Sequence, residues 1–126
     1  MTDFPVEEAR SHVEALGNGH GITIIEIRQQ WKCEADLHRR TIYITDPTTP
    51  LRYLLGLHEI GHIVDKVSAK VMFNHIPCCE AAAWAWAIEN ATPELLEHVT
   101  NREWRLIGRA WVSQLHKAAR VARPTR

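Results

Sequence analysis

Residues His58-Glu59-Ile60-Gly61-His62 constrain this chain more than any other stretch. An α-helix turns once in 3.6 residues, so two histidines four apart project from one face, one turn apart, and can grip a single cation. Glu59 stands about 100° round the helix from His58. From there it flanks such an ion and can take a proton from water. A chain built round this stretch needs a helix with a polar strip turned inward, and a further ligand delivered from elsewhere.

The flanks support the helix. Thr48-Thr49-Pro50 offers a threonine N-cap followed by proline at the first helical position, where its missing N–H costs nothing. Leu51, Leu54, Leu55, Leu57, Ile60, Ile63, Val64 and Val67 then cover most of the circumference, leaving polar positions near His58, His62 and Asp65. A helix so apolar is central and buried. Gly61 is unfavourable inside a helix by about 0.5 to 1 kcal/mol relative to Ala, so it calls for close approach of another backbone.

His-Glu-x-x-His on a helix is the zinc-binding signature of metallopeptidases, with the glutamate as general base. Catalytic zinc sites use three protein ligands and leave a fourth position open. A third histidine ten residues after the first is ruled out, since Ser68 stands there and Asp65 replaces the glycine of that pattern. Asp65 lies about 10 Å along the axis from His58, which suits it to a hydrogen bond with the free ring nitrogen of His62. Glu80 is the strongest candidate, because it opens a second helical run, Glu80 to Ile88, after a connector containing Asn74 and Pro77. The alanines of that run present slim faces that can close on Gly61, with Trp84 and Trp86 supplying bulk elsewhere. Cys78 and Cys79 are rival ligands, thiolates being good zinc donors.

The two motifs together resemble the ImmA/IrrE-type metallopeptidases, a gluzincin-like group of small zinc proteins. His58, Glu59, Gly61 and His62 match the group's His-Glu-x-Gly-His helix. Glu80, Ala81, Trp84 and Ala85 match its downstream Glu-Ala-x-x-aromatic-Ala segment, and Thr41 to Thr45 sits where the group carries a strand. The similarity spans roughly residues 22 to 91 and departs from the group at Ala82, where a small polar residue is usual. It implies an α+β, zincin-like domain with a short sheet packed on the central helix and a second, Glu-bearing helix. It implies zinc held by His58, His62 and Glu80, with Glu59 catalytic. The implied activity is endopeptidase cleavage of a regulatory protein such as a transcriptional repressor, and a phage or mobile-element origin. A non-catalytic zinc-binding module that docks on a regulator is the alternative, disfavoured by the presence of Glu59.

With 126 residues, 45% of them hydrophobic, and zero formal net charge, the chain reads as one domain, with a core over about 22 to 91 and a helical extension over 92 to 120. No apolar run is long enough for a membrane, no secretory signal opens the chain, and three cysteines form no framework, which together point to the cytoplasm. Four basic residues near the end, in a neutral chain, give no case for nucleic acid.

Val6, Ala9, Val13 and Leu16 mark a first amphipathic helix ending near Gly17. Ile22 to Ile27 and Thr41 to Thr45 read as strands separated by a charged segment over Trp31 to Arg40, with helices on one side of the sheet. The second strand is a candidate edge for holding an extended peptide. Tyr43 on it, and His75 in the connector, are candidate oxyanion donors. Thr100-x-x-Glu103 is a capping-box pattern opening a last helix, whose stripe of Trp104, Ile107, Trp111, Leu115 and Ala118 reads first as core packing.

Overall fold

The computed structural model describes residues 3–65 and 79–109. Among them the chain runs α1 (Val6–Gly19), β1 (Thr23–Glu26), a 3₁₀ turn (Gln30–Lys32), β2 (Glu34–Asp36), β3 (Thr41–Ile44), α2 (Pro50–Val64), α3 (Cys79–Asn90) and α4 (Pro93–Leu96). A further helix, α5, covers described residues 101–109. This is an α+β arrangement around one small mixed sheet. No described helix is long and apolar enough to cross a membrane.

The sheet order is β1-β3-β2, with β3 parallel to β1 and antiparallel to β2. Strand alternation puts Ile42 and Ile44 on one face and Tyr43 on the other. The helices cover the isoleucine face: a side-chain carbon at Gly17 of α1 would meet Ile24, and one at Gly56 of α2 would meet both Ile44 and Val13. Ile42, Ile44, Tyr53, Leu54, Leu57 and Ile60 are accordingly buried together in the core.

One expectation needs correcting. The strand over Thr41 to Thr45 is not an edge: β1 and β2 occupy both its flanks, so its main-chain groups are already paired. The charged segment expected to separate two strands contains a strand of its own, β2, which forms one edge of the sheet and packs beside α2. Glu34-Ala35-Asp36 has low intrinsic strand preference. It is held in place by the four-residue turn Leu37–Arg40, where Arg40 takes a positive φ of 46°.

The start of α2 follows the sequence reading closely. Thr49 is the N-cap and its side chain accepts the Arg52 N–H, with Pro50 just inside the helix. At the other end of the described chain, both limbs of the capping box form. The Thr100 N–H donates to Glu103 Oε1 at 3.0 Å, and the Glu103 N–H donates to Thr100 Oγ1 at 3.1 Å. Trp104 and Ile107 of α5 pack on the core, whereas Trp111, Leu115 and Ala118 lie outside the described residues.

Candidate metal centre

Helix α2 brings His58 and His62 to the same side, their ring centroids 4.5 Å apart, and buries both. Glu59 between them is also buried, at 4% exposure. The ligand atoms of His58, Glu59 and His62 lie within 4.8 Å of one another, a group that could hold a metal ion.

Helix α3 crosses α2 at Gly61. A side-chain carbon at Gly61 would sit 2.9 Å from the Ala83 carbonyl oxygen and 3.3 Å from Ala83 Cα, so only glycine allows the two backbones to approach this closely. That approach delivers Glu80. His58 Nε2 pairs with Glu80 Oε2 at 2.7 Å, and His62 Nε2 lies 3.2 Å from Glu80 Oε1. Glu59 meets the rings differently, with Oε1 at 3.5 Å from His58 Nδ1 and 3.8 Å from His62 Nε2. Thus one carboxylate faces the Nε2 atoms of both rings, while the other stands at the side of the pair.

The donor set suits a divalent ion. Ligands about 2.1 Å from a tetrahedral ion stand about 3.4 Å from each other. The separations of 2.7 and 3.2 Å between Glu80 and the two imidazoles are within a small side-chain adjustment of that spacing.

The electrostatics separate the two carboxylates. Burial pushes the Glu59 carboxyl up to about 7, with the charges of Glu80 and Glu34 adding to the rise and His62 opposing it. Burial also acts against ionised Glu80, but hydrogen bonds from His58 and His62 outweigh it and hold this carboxyl well below the usual range. His58 is pushed down, by burial first, against the pull of Glu80. A neutral imidazole beside an ionised carboxylate is the protonation pattern that metal ligation needs.

Asp65 is the C-cap residue of α2, its N–H donating to the Gly61 carbonyl. Tyr43 lines a cleft of about 330 Å³ with Lys32 and Glu34 on the sheet face turned away from the helices. His75 and Cys78 lie outside the described residues, as does the side chain of Cys79.

The tryptophans were expected away from the helix crossing, and the structure differs. Trp84 stacks on the His58 ring at 4.2 Å and 18°, and Trp86 Cε3 comes within 3.2 Å of the Gly61 position. Trp84 is four residues from Glu80 and shares its face, a signal legible in the spacing. Glu34, whose charge reaches Glu59 from the edge strand, had no such signal. Compared with known proteins, the chain matches no family model, no curated protein and no solved structure.

Proposed function

We propose that this protein is a zinc-dependent peptidase with a zincin-like site, in which His58, His62 and Glu80 hold the ion and Glu59 is the general base. The observation that carries the reading is the placement of two carboxylates around the buried histidine pair. Glu80 faces both Nε2 atoms, at 2.7 and 3.2 Å, whereas the buried Glu59 stands at the flank, 3.5 Å from His58 Nδ1 and 3.8 Å from His62 Nε2. A carboxylate ligand has to be deprotonated, and a proton carrier works best with a pKa near the operating pH.

A bound zinc ion would supply Lewis acidity, easing deprotonation of water and polarising a carbonyl. Glu59 would receive the water proton on its carboxylate and pass it to the departing amine. Glu80 and the two imidazoles would fix the ion, and Trp84 would fix the His58 ring by stacking. The edge of β2 that no described strand covers, beside α2, is suited to align an extended peptide through main-chain hydrogen bonds. The motif resemblance favours a protein substrate of the regulatory kind, such as a transcriptional repressor.

The deciding experiment pairs metal analysis with peptide cleavage. Glu59→Gln should keep the metal and lose cleavage by about 10²-fold or more, in line with loss of a general base. Cleavage at the wild-type rate in Glu59→Gln would remove this residue from the mechanism, and no cleavage by the zinc-loaded wild type would remove the peptidase reading. A zinc scaffold that merely docks on a regulator has no use for a buried carboxyl beside the ligands, such as Glu59, which weighs against that alternative.

A further inference from the structure

Beside the metal centre runs an apolar groove of about 300 Å³, floored by Trp84 and Leu55 and rimmed by Trp31 and Leu106. Resting on the peptidase reading above, we propose that this groove selects the substrate by receiving a large aliphatic or aromatic side chain next to the scissile bond.

Three observations on position and chemistry carry the inference. First, the groove continues the metal-binding strip. Leu51, Leu55, His58 and His62 fall on one face of α2 at intervals of four, three and four residues, and Glu80 and Trp84 are four apart on α3. The groove residues therefore begin about one helical turn, 5.4 Å, from His58. That is within reach of a side chain whose neighbouring carbonyl sits at the ion.

Second, the two places share a wall. Trp84 is only 4% exposed, stacks on the His58 ring at 4.2 Å, and lines the groove as well. A side chain lying on Trp84 is then placed relative to the metal ligands by a rigid aromatic surface. Third, the rim is apolar where it meets solvent. Trp31 is 80% exposed and Leu106 43% exposed, two of the three large hydrophobics in this state among the described residues. Single exposed apolar residues are ordinary, but two lining one apolar cleft mark a place that another apolar group covers. Gln30 alone contributes a polar side chain to the described lining, so charged or small polar substrate residues find no partner there.

The test uses zinc-loaded protein and chelating probes that need no catalysis, the hydroxamates of acetyl-glycine, acetyl-leucine and acetyl-phenylalanine, titrated by calorimetry. The leucine or phenylalanine probe should bind at least about tenfold tighter than the glycine probe, the order of discrimination an apolar pocket provides. Trp31→Ala and Leu106→Lys, both at exposed positions that the fold tolerates, should erase most of that difference while leaving the glycine probe unaffected. Equal affinities in the wild type, or a preference that both variants keep, would overturn the groove assignment. A pool of random peptides with sequenced products supplies the second arm, in which large apolar residues should be enriched at one position flanking the cut. Cleavage with no such enrichment overturns the groove while sparing the peptidase reading. Probe preference with no cleavage that depends on Glu59 does the reverse, and a protein that takes up no zinc overturns both.

Discussion

At the scale of single residues, Gly61 and Glu80 form a linked pair, one making room and the other using it. In Gly61→Ala the new carbon would meet the Ala83 carbonyl at 2.9 Å, and a helix backbone cannot swing aside as a side-chain tip can. Overpacking of this sort costs about 1 to 3 kcal/mol, more than the helix-propensity gain of about 0.5 to 1 kcal/mol. Urea unfolding should therefore show a net loss of stability. Gly56→Ala is the control within the same helix. Its neighbours are side-chain methyls at 3.3 Å and beyond, so the change should stay within about 1 kcal/mol of neutral. Equal losses at the two sites would refute the backbone argument. Glu80→Ala should weaken zinc affinity far more than Cys79→Ala, measured by competition with a chelator, because the Glu80 carboxylate meets both imidazoles. The reverse ranking would transfer the third ligand to the thiolate.

At the scale of elements, the helix ends were more legible than the sheet. Thr49-Pro50 and Thr100-x-x-Glu103 specify their caps locally, through hydrogen bonds reaching only three residues, and such patterns survive in a one-dimensional reading. The strand β2 does not. Glu34-Ala35-Asp36 carries no strand preference of its own and is a strand because the turn after it lays it against β3. A second nonlocal use of a local motif is Glu103. Its Oε1 serves the Thr100 cap, while its Oε2 accepts the Leu51 N–H at 3.0 Å, one of the otherwise unpaired donors in the first turn of α2. The same carboxylate therefore ties the start of α5 to the start of α2, the helix that carries His58 and His62. Glu103→Ala should cost about 1 to 2 kcal/mol in chemical denaturation, and Thr100→Ala, which removes one limb of the cap but spares the Leu51 contact, should cost less. A larger loss for Thr100→Ala would show that the bond between helices contributes little.

At the scale of the whole molecule, the site was legible as far as its chemistry obeys helical spacing, and illegible where it depends on which elements meet. His58, Glu59 and His62 follow from one helix, and the closeness of Glu80 could be argued from the glycine that admits it. The spacing of Glu80 and Trp84 gives their shared face but not the stacking of Trp84 on His58, and that Glu34 would act on Glu59 depends on tertiary placement alone. The same holds for a polar link through the opposite side of the core. Tyr53 of α2 is fully buried, and its hydroxyl accepts the Thr92 N–H at 3.1 Å and pairs with His12 Nδ1 of α1 at 2.7 Å. With its acceptor role taken by Thr92, the hydroxyl is best placed to donate to a neutral His12. Burial pushes the His12 imidazole below its ordinary value of 6.5. The unfolded chain then binds the proton more readily than the folded one, so stability is complete above about pH 6.5 and declines as pH falls from there through the lowered folded value. Urea midpoints taken at pH 7, 6 and 5 should fall more steeply for the wild type than for His12→Gln, which keeps an acceptor for the hydroxyl but does not titrate. His58 is pushed down too, so both proteins lose some stability in acid, and the difference between their slopes is the part due to His12. Parallel slopes would show that His12 makes no contribution to acid lability and that the Tyr53 contact does not hold its imidazole against protonation.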